Sequence, residues 1–331
     1  MSKKTFAYVD FYNLMFRNAH TSGKTATLED KIGMMMHKMM VSLLMVQRRF
    51  KADHILITID KNSWRKHVYP QYKLNRVTER LKKTPKEQEE DNEILNAAQD
   101  FFEYFRNKTT MPCIRFDGAE ADDIIATSIL DNPDCDHIIM STDRDFYHLV
   151  SDSVMIYDPT MKMYLTLDGV FDDKLEPIID TKTGKPKHMG EPEWSLFKKC
   201  IRGDRSDNIK PAYPRLREKG SKKKAGMIEA YHDREKREYD WFTIMEHQWE
   251  DGFGNKHLVK DLYEQNLELI DLRRVPDWVK NGIRIDMLSQ LEKKDSMQAS
   301  QIGFDFMRFC CKWELYAIAD RAQDYISLLS K

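Results

Sequence analysis

Phe116-Asp117-Gly118-Ala119-Glu120-Ala121-Asp122-Asp123, followed at once by Ile124-Ile125-Ala126, is the stretch on which the reading of this chain turns. Acidic side chains crowd it, and it then runs straight into apolar sequence. A solvated acidic face would alternate with Lys or Arg instead. Carboxylates held at the rim of a core repel one another unless cations neutralise them. On a regular helix each residue turns by about 100°, which would send Glu120 and Asp122 to nearly opposite sides. They converge only if Glu120 belongs to a loop and the helix starts near Ala121. The spacing therefore predicts an acidic loop feeding a helix N-terminus, where the helix dipole favours anions. A plain capping arrangement would use the same residues, so both readings stand on this stretch alone.

Apolar runs that end in aspartate lie on either side of it. Thr5 to Phe11 reads as a buried strand closing at Asp10, Asp53 to Asp60 as a second, and Asp136 to Asp143 as a third. Leu28 to Phe50 has helical spacing (Leu28, Ile32, Met35, Met39, Leu43), and its methionines read as core filling. Continuously apolar strands separated by helical segments indicate a parallel sheet covered on both faces. The expected class is α/β: a twisted, mostly parallel central sheet with helices on both faces, plus a smaller helical region. In such sheets the functional crevice lies outside the carboxyl ends of the strands. Asp10, Asp60 and Asp143 all fall there.

Ser63 to Arg106 is a different kind of sequence. Arg65, Lys66, Lys73, Arg76, Arg80, Lys82, Lys83 and Lys86 are interleaved with Trp64, Tyr69 and Tyr72, which suits a nucleic-acid backbone. A solvated helical hairpin is the plainer alternative. Thr84-Pro85-Lys86-Glu87 predicts a helix start, with a capping box and Pro at the first helical position. Beyond Asp143-Arg144-Asp145-Phe146, the pattern predicts a strand over Val154 to Tyr157 and a helix over Glu193 to Ile201. Gly203-Asp204-Arg205-Ser206-Asp207-Asn208 follows, whose aspartates also suit plain turns. A second basic run (Arg215, Arg217, Lys219, Lys222, Lys223, Lys224) precedes a helix expected over Ala225 to Tyr231, and loop amides at such a junction can bind phosphate. From Trp241 onward the pattern is helical, shows no chemistry of its own, and is expected to pack against the main domain.

Composition narrows the class further. With 41% hydrophobic and 32% charged residues and no apolar run approaching a membrane span, the 331-residue chain reads as soluble and globular. Met1-Ser2-Lys3-Lys4 and the Asp10-containing run after it do not read as a signal peptide. The five scattered cysteines argue against disulfides or a zinc site, and so for a reducing cytoplasm. The net charge of -1 conceals separate acidic and basic clusters, and a polyanionic partner remains compatible with it.

Collected together, the acids are Asp10, Asp60, Glu120, Asp122, Asp123, Asp143, Asp145, Asp204 and Asp207. No Cys or His is interleaved at ligand spacing, and all-oxygen donors select hard cations, Mg²⁺ or Mn²⁺. So many carboxylates exceed what one Mg²⁺ takes. Two ions about 4 Å apart would use them and would serve in-line phosphoryl displacement by water.

The same residues resemble the successive acidic motifs of the flap endonuclease (5′ nuclease) family, nearest to its ribonuclease H branch from T-even-like phages. Those motifs are Asp10, Asp60, Glu120-Ala121-Asp122-Asp123, Ser141-Thr142-Asp143-Arg144-Asp145 and Gly203-Asp204-Arg205-Ser206-Asp207-Asn208. Trp64-Arg65 and Tyr72-Lys73-Leu74-Asn75-Arg76 resemble the family's basic segment leading into a helical arch, and Tyr263 to Asp277 has a counterpart too. The resemblance implies a PIN-like nuclease domain over 1–190, with the arch around 63–106. It also implies a helical region over 191–331 with a helix-hairpin-helix-like element that binds duplex. The implied activity is Mg²⁺-dependent 5′ to 3′ hydrolysis of RNA·DNA and DNA duplexes with flap cleavage, as in removal of lagging-strand RNA primers. A monomer working in the cytoplasm, away from membranes, with a single-strand-binding protein and a sliding clamp as partners, would fit that task.

By motif, Asp10, Asp60, Asp122 and Asp143 would hold one ion, and Asp145, Asp204 and Asp207 the other. Glu120 would bridge or orient nearby, and Asp123 would support from behind. Lys73 and Arg76 would contact the scissile phosphate. Arg65, Tyr72, Arg80 and the run from Arg215 to Lys224 would meet the nucleic acid. One departure is Ile209-Lys210-Pro211-Ala212-Tyr213-Pro214 with Glu218-Lys219-Gly220-Ser221-Lys222, where the family's glycines are mostly replaced. That argues against the K⁺ site of many members and for charge-based, salt-sensitive duplex contact. Two rivals are a PIN-type ribonuclease on single-stranded RNA and a non-catalytic binder of branched DNA. The second should have lost acids from its motifs, and none is missing here.

Overall fold

The three aspartate-ended runs pair side by side. The structure is a computed structural model and describes residues 3–20, 27–221, 224–294 and 296–330. Met1–Trp64, Lys83–His188 and Pro276–Lys331 make up one compact unit, and Arg65–Lys82 with Met189–Val275 make up another.

The first unit is built on a sheet of seven strands among the described residues. They are β1 (Thr5–Asp10), β2 (His54–Thr58), β3 (Cys113–Ile114), β4 (Asp136–Met140), β5 (Val154–Asp158), β6 (Met163–Thr166) and β7 (Gly169–Asp172), in the order β3-β2-β1-β4-β5-β6-β7. β3, β2, β1, β4 and β5 run parallel, whereas β6 and β7 are antiparallel additions. The register Phe6↔His54 and Phe6↔His137 sorts the side chains by parity. Ala7, Val9, Ile55, Ile57, Ile138 and Met140 point into a core shared with the helices Leu28–Phe50 and Pro85–Lys108. Met35, Met36, Met39 and Met40 are fully buried there, filling the core as their spacing predicts. The opposite parity carries Tyr8 and then Asp10 on β1, and His137 and Ile139 on β4 followed by Ser141. The helix Ala121–Asp131 meets this second face through Ser128.

Local signals set several element ends. Thr84 caps Pro85–Lys108 by accepting the Glu87 N–H, while Glu87 reaches back to the Thr84 N–H. The chain returns to this unit at its end. Ile302, Phe306, Phe309, Leu315, Ile318, Tyr325, Leu328 and Leu329 from the last helices join the core of Leu28–Phe50. Of the helical region expected over 191–331, Pro276–Lys331 packs in the first unit, where its apolar faces are buried.

The second unit is mainly helical, with Arg65–Val68, Leu74–Lys82, Pro192–Arg202, Met227–Asp233, Tyr239–Met245 and Val259–Ile270. Phe197, Ile201, Ala212, Met227, Ala230, Tyr231, Ile244, Met245 and Val259 form its core. It also holds an antiparallel hairpin, β8 (Gln248–Glu250) with β9 (Lys256–Leu258), where the sequence pattern suggested only helix. The segment Arg65–Lys82, expected as part of an arch over 63–106, packs in this unit, while Pro85–Lys108 packs in the other. No helix among the described residues is long and apolar enough to cross a membrane.

Candidate active site

β1 lies between β2 and β4, and the chain leaves it toward β2 but reaches β4 from β3 by way of Ala121–Asp131. This makes the β1/β4 junction the point where strand order reverses, the usual place for a functional crevice in an open α/β sheet. Asp10 is the last residue of β1, and Ser141-Thr142-Asp143 directly follows β4. Ser141 Oγ donates to Asp10 Oδ2 at 3.2 Å and accepts the Asp143 N–H at 3.1 Å, so one hydroxyl ties the two acids. Asn13 N–H donates to Asp10 Oδ1 at 3.3 Å, and Asn13 Oδ1 accepts from Thr142 Oγ1 at 2.9 Å. Asp143 Oδ1 in turn accepts the Asp145 N–H at 2.9 Å.

Asp60, two residues beyond β2, reaches the acidic loop. Its Oδ1 accepts the Ala121 N–H at 2.7 Å, at the first residue of the helix Ala121–Asp131. The neighbouring backbone pairs Lys61 with Ala119, and Trp64 N–H donates to Gly118 O at 2.8 Å. Gly118 has φ 102°, a conformation that disfavours any side chain. The helix begins at Ala121 with Glu120 outside it, as the angular argument requires. Glu120 is buried and accepts from Ser63 Oγ at 3.0 Å. Asp123 is fully buried and accepts the Glu120 N–H at 3.0 Å, a capping role. Of the two adjacent acids, Asp123 turns inward as the cap, while Asp122 is half-buried at the helix start.

The crowding has an electrostatic signature. Burial pushes the Asp10 carboxyl up, the negative charges of Asp60 and Asp143 push it further, and the Asn13 and Ser141 hydrogen bonds only partly offset this. The result is about 7. The fold therefore brings Asp60 and Asp143 within electrostatic range of Asp10, with Asp145 tied to Asp143 and the first residue of the acidic helix, Ala121, tied to Asp60 by hydrogen bonds.

The remaining candidate acids lie in the second unit, in the loop after Pro192–Arg202. Gly203 has φ 70°, and a Cβ there would sit 2.4 Å from Ile209 O, so only glycine allows the turn. Asp204 and Ile209 exchange backbone hydrogen bonds across it. Asp204 accepts the Ser206 N–H at 2.8 Å and pairs with Lys199 Nζ at 2.8 Å. Asp207 accepts from Arg76 Nη2 at 2.8 Å and from Tyr72 Oη at 3.0 Å, with Lys73 Nζ at 3.9 Å. Lys73 has φ 55°, a strained backbone for a lysine, held by its N–H donating to Asp207 O at 2.9 Å. Asn75 donates to the Arg205 and Ser206 carbonyls, and Asn208 to Gln71 O. The candidate phosphate ligands Lys73 and Arg76 are thus seated on the Asp207 loop.

The residues expected to meet nucleic acid differ in exposure. Arg65 is 2% exposed and donates to Leu269 O at 2.7 Å, and Tyr72 is 4% exposed in a cluster with Leu196, Cys200, Ile209, Leu269 and Ile270. Both belong to the interior of the second unit, because a long stem or a ring buries readily while its polar end finds a partner. Arg76, Arg80, Arg215, Arg217, Lys219 and Lys224 are exposed, whereas Lys222 and Lys223 lie outside the described residues. The loop amides expected to bind phosphate are used internally. Gly220 and Gly226 N–H both donate to Glu229 Oε2 at 2.9 Å, and the Met227 and Ile228 amides donate to the Arg217 and Glu218 carbonyls. Ser63, Asn13, Ser141 and Lys199 were missed by sequence reasoning. Ser141, two residues before a strand-end aspartate, is the one that carried a local signal.

With this geometry in hand, the likeness to known proteins is consistent. The family described as 5′-3′ exonuclease, N-terminal resolvase-like domain, matches residues 5–174, just over half the chain. The chain belongs to this 5′ nuclease family. It is 29% identical to a DNA polymerase I of Rhizobium leguminosarum over 54% of its length, and 25% identical to the flap endonuclease of Escherichia phage T5 over 63%. It covers 15% of the first and 65% of the second. The bacteriophage T5 flap endonuclease, solved as a pseudo-enzyme–product complex with DNA and metal ions, shares the fold with a TM-score of 0.57 at 21% identity. That match covers 87% of this chain and 100% of the other.

Proposed function

We propose that this chain is a divalent-metal-dependent 5′ nuclease that hydrolyses DNA and RNA·DNA duplexes and flaps from the 5′ end. The removal of RNA primers during phage DNA replication is the task that suits it. The observation that carries the reading is the meeting of Asp10, Asp60 and Asp143 at the strand-order reversal, where burial, with the charges of Asp60 and Asp143, raises Asp10 to about 7. The DNA and metal ions in the T5 flap endonuclease complex support the same class of substrate and cofactor.

The donors fit Mg²⁺, with Mn²⁺ able to substitute, since every candidate ligand offers a carboxylate oxygen and the repulsion of Asp60 and Asp143 on Asp10 favours a bound cation. Asp10, Asp60, Asp122 and Asp143 would hold one ion, and Asp145, Asp204 and Asp207 a second. Such ions, when bound, supply Lewis acidity toward the scissile phosphate. Ser141 and Asn13 orient Asp10, and Ser63 orients Glu120. Lys73 and Arg76 stabilise the charge that grows on the phosphoryl oxygens. Arg80, Arg215, Arg217, Lys219 and Lys224 track the sugar-phosphate backbone, and the run continues through Lys222 and Lys223. Their contribution should weaken steeply with salt. The working form is a cytoplasmic monomer, with a single-strand-binding protein and a sliding clamp as replication partners.

The test is cleavage of 5′-labelled RNA·DNA hybrid and flap DNA in Mg²⁺ by Asp122→Asn and Asp143→Asn. Each should lose at least about 100-fold in rate. Near wild-type rates in both variants would overturn the site. Faster cutting of single-stranded RNA than of either duplex by the wild type would instead favour the single-strand ribonuclease.

A further inference from the structure

A buried polar chain lies under the acids of the first unit, and no step of the proposed chemistry uses it. Tyr8 Oη is 2.9 Å from His137 Nδ1 and 3.1 Å from Ser128 Oγ. His137 Nε2 is 2.9 Å from the Asn132 carbonyl, and Asn132 Nδ2 donates to Ser128 O at 2.8 Å. Tyr8, Ser128 and His137 are each no more than 2% exposed. A carbonyl only accepts, so His137 Nε2 carries the proton and Nδ1 is an acceptor. Tyr8 therefore donates to Nδ1, and Ser128 donates to Tyr8. The direction of every bond is determined, and burial keeps the imidazole neutral and the phenol protonated.

The three residues come from the three elements that lead into the site. Tyr8 lies on β1 two residues before Asp10 and on the same face. His137 lies on β4, on the face that ends in Ser141. Ser128 lies on the helix Ala121–Asp131, six residues beyond Asp122 and so about 9 Å along its axis. Asp60 holds the first amide of this helix, and apolar contact would let the rest shift along the sheet, because apolar burial is non-directional. The hydrogen-bonded chain has one register.

We propose that Tyr8, Ser128 and His137 are positioning residues that lock the acidic helix against β1 and β4, so that Asp122 stays in register with Asp10 and Asp143. The proposal deepens the metal-site reading above and rests on it. The test uses the full-length protein with Tyr8→Phe and Ser128→Ala, singly and together, and two readouts that need no cleavage. Amide hydrogen exchange over Ala121 to Ile125 should speed up by about tenfold or more in each variant, while the β6–β7 amides keep their rates. Mn²⁺ affinity, measured by electron paramagnetic resonance, should fall about tenfold, as for other residues that support metal ligands. The double variant should be little worse than either single one, since both break the same chain. Unchanged exchange at Ala121 to Ile125, or exchange raised equally throughout the unit, would overturn the lock. If Tyr8→Phe does not fold, the same criteria apply to Ser128→Ala. A wild type that cleaves nothing would sink the nuclease reading, yet the exchange result would still decide the lock.

Discussion

Asp10 in the first unit and Asp204 in the second are each 8% exposed, yet their proton affinities move in opposite directions. Burial raises both. At Asp10 the charges of Asp60 and Asp143 add to it, and the pKa climbs to about 7. At Asp204 the Lys199 ammonium and the Ser206 hydrogen bonds outweigh burial and hold the carboxyl below its ordinary range. Equal surface exposure with opposite outcomes has two causes: the Asp10 carboxyl is enclosed more deeply and meets like charges, whereas the Asp204 carboxyl meets a cation. The first group of acids is a setting that a divalent cation would relieve. The second carries cations of its own: Lys199 on Asp204, and Arg76 with Lys73 on Asp207.

The largest expected effect tests the first half of this contrast. A carboxyl whose folded pKa is raised favours the folded state while it stays protonated, and that contribution is lost as pH rises from about 4 through about 7. Metal-free wild type should lose a few kcal/mol relative to Asp10→Asn across this window, read by urea denaturation at successive pH values. Equal slopes for the two proteins would break the comparison at its root. Next in size is Lys73→Ala. If Lys73 acts on the phosphate in the transition state, turnover should fall about 10- to 100-fold with little change in duplex affinity. If it is only a counter-charge for Asp207 or a tether, binding weakens and turnover holds. The smallest effect sharpens the second half. Lys199→Ala removes the ammonium beside Asp204, so the weaker of two Mn²⁺ affinities should tighten a few-fold while the stronger stays put. Calorimetric titration measures both, and tightening of the stronger one would reverse the assignment of ions to acids.

Much of the first unit was readable because its signals are local. The start of the helix at Ala121 followed from the angle between Glu120 and Asp122, the cap at Thr84 from a four-residue pattern, and the strands from unbroken apolar runs. The failures had non-local or weak causes. Arg65 and Tyr72 look like nucleic-acid contacts by type, but their burial depends on Leu269 and Ile270, some two hundred residues away. The β8–β9 hairpin has strands of three residues, too short for periodicity to register, although Asp251-Gly252 marked its turn. The loop amides at Gly220 and Gly226 were claimed by Glu229, a competition that spacing alone does not reveal.

The sequence by itself determined the chemistry of the donors, carboxylate oxygens without interleaved Cys or His, and their positions at strand ends and a helix start. Those properties are written in residue type and in periods of two and 3.6. Only the tertiary structure decided which carboxylates share a neighbourhood and which are answered by a cation. Electrostatic energy depends on distance through space, and the chain separation between Asp10 and Asp143, or between Lys73 and Asp207, carries no record of it.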